Sequence, residues 1–393
     1  VPGHIKEDAV PPHSAAKEKQ LDANTMKVTA ADAAAAAAAV SGSTAQIGQW
    51  GPVVSWPVVG VHAALLKNGR VLAYDSIGDN ATETYQVQDR TRATVWDPAT
   101  GAQPPVDVNT GYNVFCSGLA HLMDGRVFLA GGNKDAYLNG IVQTHIFDSD
   151  GNTWSLGQNM AVERWYPSVT PLANGEELIT AGGPTLHEVR RTDGGMRALS
   201  TASLNLPLYP WIDVAPDGRA FVSGPDPTML SLDTAGGGSW RSFGQRDFLY
   251  RDYGSRVMYD IGKILVAGGE HSSTSAGIID LNGGTPQVSG TAPMAFGRRQ
   301  HNLTVLADGS VLATGGNSSG SPQVDLDNGV YPAELWNPAT GSWRTHAAMR
   351  VTRQYHSTAL LLPDGRVLSA GGGICGTCDA VGYLAKNAEV FSP

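Results

Sequence analysis

The sequence predicts an all-β protein: a seven-bladed β-propeller over residues 46–393, preceded by a mostly irregular, Ala-rich arm over residues 1–45. Three observations carry that prediction. The 393 residues include 48 Gly and 23 Pro with only 16% charged side chains, a turn-rich rather than helical composition. One unit recurs seven times, about 50 residues apart: a hydrophobic run, a tight turn ending in Gly, a β run and usually Gly-Gly. A second hairpin signature follows in several units, so each period holds two hairpins and hence a four-stranded blade.

The elements can be justified in order along the chain. Val1 to Thr44 is polar, lacks aromatic residues and turns Ala-rich from Ala30 to Val40; it reads as an arm with a short helix over the Ala run and little to add to a core. Residue 1 is Val and no signal peptide is present, as expected of a mature or trimmed chain. The turn glycines are Gly69, Gly125, Gly175, Gly218, Gly262, Gly309 and Gly365. Asp-Gly between apolar runs predicts a two-residue hairpin turn, in which both central residues take positive φ. The second hairpin appears at Ile146 to Trp154 and at Leu335 to Trp343. The seventh unit runs out at Glu389 to Pro393 without its last strand, and Ile47 to Trp50 supplies one. The strand near Trp50 is therefore expected to complete the last blade and to remove the exposed edges. At this level the units resemble kelch repeats.

With 27 Lys and Arg against 36 Asp and Glu the net charge is −9, and no basic cluster appears, which argues against a nucleic-acid partner. The longest apolar run, Ala33 to Val40, falls far short of the roughly 18 residues that span a bilayer, so no transmembrane segment is expected. Cys375 and Cys378 share a Cys-Gly-Thr-Cys loop, while Cys116 stands alone. Such a pair is a redox centre, half a zinc site or a short disulfide. Zinc lacks a second pair and redox chemistry lacks a βαβ context, so a disulfide in an exported protein is preferred over free thiols.

A propeller brings equivalent residues of every blade around one axis. Aligned on the turn glycines, one upstream slot collects Gly60, Cys116, Tyr166, Tyr209, Tyr253, Gln300 and His356, with Tyr355 one step before the last. A core slot would hold Val, Leu or Ile. A channel mouth that is simply polar accounts for the pattern in one way. An axial metal site accounts for it in another, and imidazole, phenolate and a neighbouring sulfur together point to copper.

At these residues the chain resembles the copper-radical oxidases, the family of galactose oxidase and glyoxal oxidase. The matching stretches are Val114 to Gly118, Arg164 to Ser168, Arg353 to Arg366 and Gly371 to Cys378, and the resemblance covers the whole propeller. It implies a secreted enzyme that oxidises primary alcohols or aldehydes, carbohydrates among them, with O2 to give aldehyde or acid and H2O2. It implies a thioether from Cys116 to the ring of Tyr166, with Tyr166 an equatorial copper ligand and radical site. Tyr355 corresponds to the axial tyrosine and catalytic base, His356 to one of two equatorial histidines, and Cys375 and Cys378 to a structural disulfide. The chemistry needs such a set: copper changes by one electron, the oxidation takes two, and a thioether-substituted phenol supplies the second.

Two departures shape the expectation. The family takes its second copper histidine from an immunoglobulin-like domain after the propeller, so a separate or removed C-terminal domain is expected to provide it. In-chain alternatives are His62, His121, His301, His4 and His13. The stacking Trp of the galactose oxidase branch is absent, because Gly182 and Gly183 are followed by Pro184 and Thr185. That role falls to Trp165 or Trp211, with Gln300 and His301 at the substrate pocket. The competing reading is a non-catalytic kelch propeller that binds carbohydrate or protein and carries an incomplete metal site. Fold alone does not separate the two readings; the joint presence of Cys116, Tyr166, Tyr355 and His356 favours the oxidase.

Overall fold

The computed structural model describes Thr25 and residues 30–393. Seven antiparallel sheets follow one another: blade 1 (residues 62–96), blade 2 (118–156), blade 3 (167–198), blade 4 (211–245), blade 5 (255–290), blade 6 (299–348) and blade 7 (357–392). Blade 1 has three strands, and isolated bridges pairing Thr91 with Val108 and Thr94 with Pro105 take its outer position. Among the described residues no helix is long and apolar enough to cross a membrane.

Blade 7 is assembled from both parts of the chain, as the missing strand predicts. Gln49–Trp50 runs antiparallel to Asn387–Ser392, with Gln49 opposite Ser392 and Trp50 opposite Phe391. The two rings meet at 5.1 Å, and Trp50 Nε1 donates to the Ala347 carbonyl of blade 6 at 2.8 Å. Helix α1 (30–39) leans on this closure: Ala33 is buried against a cluster that includes Trp50, Phe391, Leu312 and Tyr331. The arm thus adds more to a core than its lack of aromatics suggests, because small side chains let a helix approach the ring closely.

The hairpin turns differ from the expected two-residue type. In blade 2, Gly125 N–H donates to the Leu122 carbonyl while Leu122 N–H donates to that of Arg126, which makes a three-residue loop. Only the glycine of this loop has positive φ, at 83°. Asp124 instead accepts from the Arg126 N–H at 3.0 Å, so the Asp serves as a side-chain brace and the Gly as the bulge.

Apolar side chains fill the space between successive blades. Leu72, Tyr74 and Val95 of blade 1 pack on Val127, Leu129 and Phe147 of blade 2, and the ring closes where Val71 and Trp96 meet Leu362 and Leu368 of blade 7. A polar fastening repeats at the inner ends. Arg164, Arg298 and Arg353 are fully buried and pair with Glu188 at 3.0 Å, Glu334 at 2.8 Å and Glu389 at 3.6 Å on the third strands of their own blades. Their backbone carbonyls accept from Gly132, Gly269 and Gly316 N–H of the preceding blades. Approach is so close that a Cβ on Gly131, Gly268 or Gly315 would lie 2.6, 2.5 and 2.5 Å from those same carbonyl oxygens. This contact explains the Gly-Gly that ends the second strands.

Removing one charge of such a pair strands the other in the interior, a loss of about 3–5 kcal/mol. Glu334→Gln is accordingly expected to lower stability by about 3 kcal/mol in urea denaturation, and a double Arg298→Met, Glu334→Leu variant to recover most of it.

Candidate metal centre

The slot that sequence alignment picks out is a ring of strained residues. Cys116, Tyr166, Tyr209, Tyr253, Gln300 and His356 all have φ between 46° and 65°, the left-handed region that non-glycine residues avoid. Each sits at the entry to the first strand of its blade, Gln300 one residue inside it, and the left-handed turn points its peptide groups around the axis. Tyr166 N–H donates to the Cys116 carbonyl at 3.0 Å, Tyr209 N–H to that of Tyr166 at 3.0 Å, and Gln300 N–H to that of Tyr253 at 2.6 Å. These bonds between blades offset strain on the order of 1–2 kcal/mol per residue.

Three of the side chains expected to hold metal converge. Tyr166 Oη lies 2.9 Å from Tyr355 Oη and 3.2 Å from His356 Nε2. His356 Nδ1 faces the Gly373 carbonyl at 2.8 Å, so Nδ1 carries the proton and the Nε2 lone pair is turned to the phenols. The Cys116 thiol is buried and packs with Tyr166 in one cluster. Burial pushes Tyr166 and Tyr355 well above the ordinary phenol range, with Cys116 and Tyr355 adding to the shift at Tyr166 and Tyr253 to that at Tyr355. Burial likewise raises Cys116. Burial thus favours the neutral forms of these groups, whereas a cation among such donors favours phenolate.

The consecutive rings of Trp165 and Tyr166 stack at 3.9 Å with planes 9° apart, a geometry the left-handed Tyr166 makes accessible. Tyr209 covers the other face at 4.5 Å. Tyr166, Tyr355 and His356 open onto a cavity of about 550 Å³ whose wall includes Trp165, Tyr253 and Arg299. A second cavity of about 590 Å³ touches the same three residues and reaches Trp211. Cys375 and Cys378 are disulfide-bonded, and the turn of helix α2 (Gly376–Val381) that they brace forms part of the first cavity's rim.

Other expected residues stand apart. Gln300 is buried and does not line either cavity: its amide nitrogen donates to the Gln323 carbonyl at 2.6 Å and its oxygen accepts from Asn317 at 3.0 Å. His301, one residue further, lies on the opposite side of the strand between Gly268 and Gly316, also off the cavity walls. Neither side chain is among those lining the two cavities. As for a second imidazole, His62 Nε2 already accepts from Cys116 N–H at 3.1 Å with its ring stacked on Tyr74 at 4.6 Å. His121 Nε2 bonds the Leu65 carbonyl at an exposed hairpin end, and His4 and His13 lie outside the described residues. Among the described residues no group of three His, Cys, Asp or Glu side chains converges; the assembled donor set is built on phenols. Sequence reasoning missed the buried Arg–Glu pairs, whose partners are separated by a whole hairpin, although Glu recurs at the same third-strand position in Glu188, Glu334 and Glu389.

A seven-bladed propeller with two phenols, one imidazole and a thiol gathered at its axis defines a scaffold of the copper-radical oxidase kind. The chain is 32% identical to the galactose oxidase of Gibberella zeae over 387 residues, covering 88% of this chain and 55% of that protein. It is 27% identical to the aldehyde oxidase GLOX of Vitis pseudoreticulata over 301 residues, 66% of this chain and 56% of that one. Among solved structures it resembles a fungal alcohol oxidase of the AA5 family in complex with copper, with a TM-score of 0.77 and 27% identity over 88% of this chain and 76% of the other. No protein-family profile matches it. The chain is thus a homologue of galactose oxidase and of glyoxal oxidase, and it spans about half the length of the curated relatives it matches.

Four buried histidines give a pH signature. Burial lowers His62 and His301 to about 3 and His145 and His187 to about 4, from an ordinary 6.5. Below pH 6.5 the unfolded chain takes up protons that the folded one refuses, so stability is full above that pH and falls as pH drops towards 4. Each histidine contributes a slope of about 1.4 kcal/mol per pH unit. His301→Gln is expected to remove one such slope, read from urea midpoints between pH 6.5 and 4.5.

Proposed function

We propose that this chain is the propeller of a secreted copper-radical oxidase that converts primary alcohols or aldehydes, with O2, to aldehydes or acids and H2O2. The convergence of Tyr166 Oη, Tyr355 Oη and His356 Nε2 within about hydrogen-bond distance, with Cys116 against Tyr166, carries the reading. Two oxygens and one nitrogen, all on one cavity wall, suit copper. When bound, copper supplies a one-electron acceptor beside a site for the substrate oxygen.

The chain's own groups supply the rest. Cys116 Sγ joins the Tyr166 ring carbon next to the phenol, losing the thiol and ring hydrogens as two protons and two electrons to dioxygen. The sulfur then stabilises Tyr166 after loss of one electron. Tyr355, as a phenolate, accepts the proton of the substrate hydroxyl. Oxidised Tyr166 takes a hydrogen atom from the carbinol carbon, so each turnover removes two electrons and two protons from the alcohol and delivers them to O2. Trp165 and Tyr209 sandwich Tyr166, keep bulk water from its faces and share its spin. A second copper imidazole from a domain outside this propeller, C-terminal or on a separate chain, completes this reading, and it is supported by the other contacts that His62, His121 and His301 make. The Cys375–Cys378 disulfide suits an oxidising compartment.

Exposure of the chain to copper and O2 is expected to lower its intact mass by two hydrogens and to join the Cys116 and Tyr166 peptides. A Cys116 thiol that stays alkylatable after loading would favour the binding-module reading instead. In the assembled enzyme, Trp165→Ala should shorten the lifetime of the Tyr166 radical, followed by its optical band; an unchanged lifetime removes Trp165 from that role.

A further inference from the structure

Among the described residues seven arginines are buried, and six of them are ion-paired. Arg164, Arg298 and Arg353 hold their glutamates, Arg190 holds Glu177 at 3.0 Å, and Arg246 and Arg251 share Asp247 at 3.3 and 3.1 Å. Arg299 is the exception. It is only 8% exposed, yet among the described residues no carboxylate comes within 4.0 Å of its guanidinium. Nη1 donates to the Gly320 carbonyl at 2.6 Å, and the group lies 4.7 Å over the Tyr253 ring. The buried Nε has no hydrogen-bond partner, and among the described residues Nη2 has none either. A guanidinium cannot shed its charge to ease burial, so an unpaired one in the interior is costly. Unlike the other six, Arg299 lines the cavity onto which Tyr166, Tyr355 and His356 open.

We propose that Arg299 is a specificity-determining residue that docks a carboxylate, so that the enzyme acts on primary alcohols or aldehydes carrying an acid group at their other end. The inference rests on the oxidase reading and adds a substrate class to it. A guanidinium presents its N–H donors in a rigid fork that matches the two oxygens of a carboxylate, and such charge-assisted bonds are the strong ones in a partly desolvated cavity. Tyr253 links this dock to the chemistry: its ring lies under the guanidinium and meets the ring of Tyr355 edge-on at 5.8 Å. A molecule held by its carboxylate at Arg299 therefore has its free end directed towards the phenol that accepts the hydroxyl proton. Glu83, Asp252 and Glu270 line the same cavity, but none of them reaches Arg299 to form an ion pair. Burial raises Asp252 against the opposing effect of the guanidinium, and Glu270 is exposed. Their charges disfavour an anion on their own parts of the wall, which leaves Arg299 as the place for it.

Calorimetric titration of the full chain with glycerate and gluconate, against their uncharged counterparts glycerol and sorbitol, tests the dock without relying on turnover. Wild type is expected to bind each carboxylate at least about tenfold more tightly than its counterpart, which is about 1.4 kcal/mol. Arg299→Gln should remove that preference by weakening the carboxylates, while glycerol and sorbitol change less than about twofold on the same scale. Arg299→Lys, which keeps the charge and loses the fork, should retain part of the preference. Gluconate should also raise the thermal midpoint of wild type and leave that of Arg299→Gln where it was. Circular dichroism checks that Arg299→Gln is folded; if it is not, the preference of wild type and its reduction in Arg299→Lys decide the matter. Wild-type protein that binds neither carboxylate, shows no preference for them or binds sulfate equally well overturns the proposal, as does a preference that survives Arg299→Gln. A parallel Cu(II) titration keeps the two readings apart: a chain that takes carboxylates at Arg299 but no copper overturns the oxidase, and one that takes copper but no carboxylate overturns only the dock.

Discussion

The contact on which the rest depends is the one between a buried arginine's backbone carbonyl and the Gly-Gly of the preceding blade. It brings two sheets together closer than any Cβ permits at Gly131, Gly268 and Gly315. The arginine side chain meanwhile reaches back to its own blade, where Arg164 Nη1 bonds the Ala181 carbonyl at 2.6 Å and Arg298 Nη1 that of Gly315 at 2.7 Å. Main chain and side chain are thus tied to different blades by one residue. With its position fixed from both sides, the peptide has little room to enter the first strand, and the residue at the bend adopts the left-handed conformation. Chemistry at the axis follows from this fastening, because the same bend aims Cys116, Tyr166 and His356 inward.

How much of this the sequence disclosed depends on how local each cause is. Turn glycines such as Gly125 were legible because a hairpin loop is decided within a few residues. The axial slot was legible because bend and turn are joined by a strand of nearly constant length, which kept Cys116, Tyr166 and His356 in phase. Closure through Trp50 could be read from a missing strand. The turn geometry itself was misjudged, since Asp124 was credited with positive φ when it braces by hydrogen bond. Gln300 and His301 are placed by contacts with distant segments, Gln323 and Asn317 for the one and Gly268 and Gly316 for the other, which a local pattern does not reveal. The Arg298–Glu334 pairing was not legible at all, because it depends on distant chain segments meeting.

Exclusion of water sets the ionisation of the axial groups. Tyr166, Tyr355 and Cys116 are all driven towards their neutral forms by burial. Such groups pack together without repulsion while the protein is metal-free, which lets Oη of Tyr166 approach that of Tyr355 to 2.9 Å. The same burial makes ionisation dependent on an incoming positive charge. A propeller interior supplies that burial cheaply in structural terms: stacked sheets on every side leave only the axial openings for solvent.

The seam in blade 7 also has a bearing on biosynthesis. Two of the convergent residues, Tyr355 and His356, belong to the sheet that is finished by Gln49–Trp50 lying against Asn387–Ser392. During translation the early strand must wait, unpaired, until Asn387–Ser392 has left the ribosome. This pairing therefore has a very large sequence separation, the type of contact that forms slowly. Until it forms, the sheet that presents Tyr355 and His356 to Tyr166 is unfinished. Ring closure in this fold doubles as a clock for the chemistry it encloses.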